Sequence, residues 1–165
     1  MNRVDLKEHK KAKKQLPSIP VFKTHGKKKL PKPLHKLGGP RIFSTGMIRV
    51  SENHVALMFW RDGEILTDRS FYGHLYCVLS NGSLSPLFEF HWHPSHKGFH
   101  CKMPCNTTYD YTDRMLPGAP ELNLKVSETP LDPKDKDDLM RLIAEFCNGC
   151  GISLPDPNSD SQDLW

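Results

Sequence analysis

Four of the chain's nine histidines fall within ten residues, at His91, His93, His96 and His100, and Cys101 and Cys105 follow closely. Imidazole titrates near neutrality, so two such rings can remove one proton and supply another. With RNA as substrate this would be attack by the 2′-hydroxyl. Glu89 or Tyr76 would orient an imidazole, and Lys97 or Lys102 would offset phosphate charge. Neutral imidazoles and thiolates are equally the donors that zinc takes, and no acid–base step is then needed. His91 and His93, at i and i+2, could share one metal, with His96 or His100 supplying a third nitrogen and Glu89 binding or orienting a ligand. Cys101 and Cys105 could complete a structural zinc site, either with the histidines or with Cys147 and Cys150. Cys147-x-x-Cys150 falls at the end of an apolar helical stripe, where a cysteine serves more simply as a small buried hydrophobe. A redox pair would stand at a helix N-terminus, where the dipole lowers a thiol pKa.

A hairpin has to position these groups. Asn81-Gly82 is the residue pair favoured by two-residue type I′ turns. Pairing the flanking strands across it sets His74 opposite Glu89, Tyr72 opposite His91 and Tyr76 opposite Leu87. Leu75 then faces Phe88, Gly73 faces Phe90, Phe71 faces Trp92 and Cys77 faces Pro86. Side chains alternate between faces, so the second set makes an apolar side. The first set gathers Tyr72, His74, Tyr76, Glu89, His91 and, one step on, His93 on the other. Pro86 has no N–H for a third strand, so that end of its strand belongs at a sheet edge.

Around this hairpin the sequence predicts strands over Ile42–Val50 and His54–Trp60, the latter apolar on both faces and therefore central. Asp62-Gly63 suggests a second tight hairpin into Ile65–Arg69. One helix follows, with Asp132 as N-cap and Pro133 at its first turn. Leu139, Leu142, Ile143 and Phe146 form its apolar stripe, and Gly149 and Gly151 stop it. The expected class is α+β: an antiparallel sheet of hairpins packed by one C-terminal amphipathic helix. Residues 41–154 would make this domain, preceded by a basic arm over 1–40 and followed by an acidic tail over 155–165.

Charge supports that division. Residues 1–41 hold thirteen Lys and Arg against Asp5 and Glu8, and the rest hold ten against seventeen Asp and Glu. The arm has Lys10, Lys11, Lys13, Lys14, Lys27, Lys28 and Lys29, with Pro17, Pro20, Pro31 and Pro33 interrupting any helix and no apolar period, so it reads as disordered when free. Such a row of cations suits phosphates through counterion release, although a solvated tail with no partner has the same composition. Phe22 is its one aromatic residue, so the arm does not stack bases. No run approaches 18 apolar residues and the basic N-terminus has no apolar core, which argues against a membrane span or a secretory signal. Five cysteines, an odd number, suit reduced thiols or metal ligands in the cytoplasm better than a disulfide framework.

His74-Leu75-Tyr76, Asn81-Gly82, Phe88-Glu89-Phe90 and the run from His91 to His100 together resemble the toxin component of TumE-type toxin–antitoxin pairs. The resemblance implies a small cytosolic bacterial protein with an antitoxin as partner. Two departures stand out: Phe90-His91-Trp92 replaces the family's Tyr-Asp-Asn step, and the basic arm is extra. The expectation is a small nucleic-acid-acting protein, a toxin- or defence-type ribonuclease or nuclease using the His/Glu cluster on RNA or DNA. The alternative is a zinc-stabilised module, not an enzyme, that binds nucleic acid or an acidic partner protein.

Overall fold

Every residue from His54 to Trp60 is buried, and a strand with apolar side chains on both faces has to run inside a sheet. In the computed structural model, which describes residues 8–25, 39–93, 98–102 (backbone alone) and 131–155, it does so. Strand β5 (His54–Arg61) lies between β6 (Ser70–Val78) and a broken edge made of β3 (Ile42–Ser44) and β4 (Ile48–Ser51). Beyond β6 come β7 (Leu84–His93) and β8 (Gly98–Lys102), and β2 (Lys23–Thr24) joins β3 at the far side. All these pairings are antiparallel. Two short strands, β1 (Lys14–Gln15) and β9 (Ile152–Ser153), pair in parallel apart from the main sheet. The helix α1 (Lys136–Cys150) packs on one sheet face, so the class is α+β. Among the described residues no helix is long and apolar enough to cross a membrane.

The helix-covered face carries the core. Leu75, Phe88, Phe90 and Trp92 are buried there with Met58, Trp60 and Phe71, against Leu142, Ile143 and Phe146 of α1. Gly73 admits the helix: a Cβ at that position would lie inside the Phe146 ring. Phe146 in turn meets Phe90 edge-on, with centroids 5.4 Å apart.

The hairpin register holds in its functional half and differs at the turn. Phe71↔Trp92, Tyr72↔His91, Gly73↔Phe90, His74↔Glu89 and Leu75↔Phe88 pair as expected, but Tyr76 faces Pro86 and Cys77 faces Ser85. The loop is Ser80-Asn81-Gly82, closed by Gly82 N–H to Leu79 O (2.9 Å) and Leu79 N–H to Ser83 O (2.8 Å). Gly82 sits at φ +85°, the left-handed position that ends a three-residue loop, and the two-residue type I′ turn does not form. Asn81 Oδ1 accepts from the Ser83 amide (3.0 Å) and hydroxyl (2.6 Å), which favours the longer loop. That extra loop residue alone would have turned every side chain over. A bulge opposite the Leu75–Tyr76 step absorbs it: Leu87 is the extra residue there and is buried on the same face as Phe88. Pro86 does lie where described residues of β8 no longer reach β7.

Three other sequence expectations change. Ile42–Val50 is interrupted at Gly46 (φ +69°), where Thr45 turns back to bond Met58. Ile65–Arg69 is not a strand but a loop with one 3₁₀ turn, Leu66–Asp68. Arg69 is drawn in by Asp132 (2.8 Å) and Asp62 (3.5 Å), which ties this loop to the approach of α1. Because Asp132 is so engaged, the N-cap is Asp135, whose carboxylate accepts from the Asp138 amide (3.0 Å). Gly151, at φ +72°, ends α1, and Gly149 lies within it.

The largest correction concerns the arm. Residues 8–25 are built into the fold rather than hanging from it. Leu16 is fully buried, its amide donating to Ser153 O (2.9 Å) in line with the β1–β9 pairing. Lys14 is 1 % exposed, and its ammonium caps the helical turn over residues 8–11 by donating to the carbonyls of His9, Lys10 (3.2 Å) and Ala12 (2.7 Å). Burial pushes its pKa down to about 8, so it remains charged at pH 7. His9 Nδ1 reaches His54 Nε2 (2.8 Å), and His54 Nδ1 reaches Ser51 Oγ (2.7 Å). A few apolar and capping contacts offset the ordering entropy that composition alone leaves unmatched.

Candidate active site on the open sheet face

On the face away from α1, β5, β6 and β7 align Leu57, Phe59, Tyr72, His74, Tyr76, Glu89, His91 and His93. Alternation on the three strands accounts for this, and the bulge lies beyond the Leu75–Phe88 pair, so it does not disturb it. Tyr72 stacks on Phe59 (centroids 4.6 Å apart) and meets His91 and His93 edge-on at 5.0 and 5.5 Å. His91 and His93 are 6.2 Å apart, and His74 lies 6.5 Å from His91 in a stacked orientation. The site residues His74, Tyr76, Glu89, His91 and His93 are thus brought together. Tyr72, expected on this face but not among the catalytic candidates, stands at the centre of the rings. Its position two residues before His74 was the available signal.

Burial fixes the protonation state of two of these residues. His74 is held neutral, since burial pushes its pKa down to about 4. Its Nδ1 is 3.1 Å from the Tyr76 hydroxyl, and its Nε2 is buried without a hydrogen-bond partner among the described residues. Burial, reinforced by the Glu89 charge, pushes Tyr76 up to about 12, so it is a phenol at any physiological pH. When that phenol donates to Nδ1, His74 carries its hydrogen on the orphaned Nε2. Glu89 Oε2 lies 3.9 Å from His91 Nε2, where a carboxylate stabilises an imidazolium. His74 and Tyr76 are therefore fixed dipoles, and Glu89 stands within ion-pair reach of His91. All of these side chains are half-buried, not open as a bare sheet face would be. Fixed dipoles act more strongly in such a place than in water.

Other sequence-derived candidates fall elsewhere. Lys14 is corrected: its ammonium is spent on backbone carbonyls and cannot meet a phosphate. Lys11 and Lys13 are exposed, and Lys10 is half-buried. Lys27, Lys28, Lys29, Lys97, His96 and Cys105 lie outside the described residues, and His100 and Cys101 are placed by backbone only, opposite His91 and Phe90. Among the described residues no three His, Cys, Asp or Glu side chains form a metal-holding group. Cys147 and Cys150 are both buried in the α1 core contact, and desolvation pushes the Cys147 thiol up to about 12, the state of a small hydrophobe rather than a thiolate ligand. Comparison with protein-family models, with curated proteins and with solved structures gives no match.

Proposed function

We propose that this face is the active site of a ribonuclease that works by general acid–base catalysis. The observation that carries the reading is the convergence of His74, His91, His93, Tyr76 and Glu89 on one half-buried sheet face, opposite the face that builds the core. In this reading His91, charged with the help of Glu89, and His93 exchange protons with the attacking 2′-hydroxyl and the leaving oxygen. His74 Nε2–H, a donor with nothing described to bond, meets a phosphate oxygen as charge develops. Lys11 and Lys13 would hold the RNA backbone. The resemblance to TumE-type toxins makes growth inhibition the biological setting and a protein antitoxin the partner.

The test is cleavage of a single-stranded RNA oligonucleotide in the presence of a chelator. RNA should give 2′,3′-cyclic phosphate ends, and a single 2′-deoxy residue at the scissile position should block cleavage there. Glu89→Gln, His91→Ala and His93→Ala should each lower the rate by ~100- to 10,000-fold with circular dichroism unchanged. Induced expression should arrest bacterial growth, and His91→Ala should relieve the arrest. Wild-type protein that leaves every RNA intact would end the proposal. Chelation that unfolds the protein would favour the zinc-stabilised module instead.

A further inference from the structure

A second surface, remote in kind from the histidine face, has the features of a peptide-docking site. Between β1 and β2 the chain at residues 17–21 lines an open cleft of about 490 Å³ shared with Ser44, Thr45, Met47, Ile48 and Arg49. β4 pairs with β5 along one edge, so its alternate N–H and C=O groups face the other way, and Ile48 and Arg49 of β4 line the cleft. No described strand pairs with that outer edge. β1 lies near one end of β4 without pairing with it, and an edge left unpaired by the described strands is a template for a further strand. Ile19, Val21 and Met47 stand on the rim 50 %, 65 % and 38 % exposed, although they are apolar. The titratable or charged residues lining the cleft are Lys23, His25 and Arg49, with no carboxylate among them. Arg49 is steadied by donating to Glu52 O (2.7 Å), and His25 Nε2 lies 3.2 Å from Ser44 O.

We infer that this cleft binds an extended acidic peptide of a partner protein, which adds to β4 as a strand and places apolar side chains against Ile19, Val21 and Met47. Backbone bonds to a sheet edge supply affinity in this mode, and alternate side chains supply selectivity. The cationic lining selects acidic residues in the peptide by charge complementarity. Nucleic acid suits the cleft less well: it is lined by no Phe, Tyr or Trp to stack a base, and Ile19, Val21 and Met47 present exposed apolar groups. The inference is independent of the chemistry on the histidine face, and either can fail alone.

The test is fluorescence anisotropy with a labelled eight-residue peptide alternating Glu or Asp with Val or Ile, added to the full chain. The acidic peptide should bind at least about tenfold tighter than its lysine counterpart. Lys23→Glu with Arg49→Glu should reverse that preference, and melting temperature should show that this exposed double variant stays folded. Methylation of alternate peptide amides on the bonding edge should abolish binding, while methylation on the other edge should not. Equal or absent binding of the two peptides would overturn the inference, as would retained preference in the double variant. So would an oligothymidylate that outcompetes the acidic peptide at the cleft, or rim substitutions that alter only self-association by light scattering. Tighter peptide binding after Asp156→Ala, Asp160→Ala and Asp163→Ala together would assign the cleft to the chain's own acidic end and would likewise overturn a separate partner.

Discussion

At the scale of single residues, burial sets the charge state of His74. His74 is buried enough to stay neutral to about pH 4, whereas an unperturbed imidazole titrates near 6.5. A proton NMR titration of the histidine ring signals should therefore show His74 unchanged down to about pH 5. A midpoint near 6.5 would mean that this ring is open to water and that the orphaned Nε2 has no catalytic significance. That His74 faces Glu89 and lies beside His91 was legible from alternation alone, because period two needs only the sequence. That it is buried was not. Burial depends on what lies over the face, and Leu57 and Phe59, also buried there, belong to a strand 15 or more positions earlier in the chain. The Ser51–His54–His9 chain was hidden for the same reason, since it joins residues 45 apart in sequence.

At the scale of elements, the contact that fixes helix to sheet is Gly73 against Phe146. Gly73→Ala inserts a methyl group into the Phe146 ring, and overpacking of this kind costs about 1–3 kcal/mol. Phe146→Ala leaves a cavity at the centre of the core and costs about 3–5 kcal/mol. The two should not add: with Phe146 truncated, the alanine at 73 has room and its cost should nearly vanish. Urea denaturation of both single variants and the double variant measures this, and simple additivity would show that the ring does not press on Gly73. The stripe of α1 and the apolar face of the hairpin were both readable, because each follows a local period. The turn was not, since Asn81-Gly82 serves two- and three-residue loops alike and side-chain bonds from Asn81 settle the choice. The Leu87 bulge then had to exist for the two hydrophobic faces to match.

For the whole molecule, composition misjudged where the domain begins, because a stretch rich in lysine and proline still supplies Leu16 and Lys14 to the interior. Leu16→Ala should cost about 2–5 kcal/mol, the loss typical of a core leucine, when measured by chemical denaturation. A cost near zero would return residues 8–25 to the status of a tail. The same docking makes the fold sensitive to acid. His54, buried between Lys14 and His9, has its pKa pushed down to about 4, chiefly by burial and then by those two neighbours. His74 has the same value on the opposite face. The unfolded chain takes up protons on both rings near pH 6.5, but the folded chain resists until about pH 4, so the unfolded state gains between those values. Stability is therefore complete above pH 6.5 and falls as pH drops through that window, by about 1.4 kcal/mol for each unit of displaced pKa. Carboxylates also respond to acid, so the measurement is a comparison: melting temperature from pH 7 to pH 4 for the wild type, His54→Asn and His74→Asn. Each variant should start lower and decline less steeply than the wild type. Parallel curves would show that neither buried imidazole resists protonation, and that acid acts through the carboxylates alone.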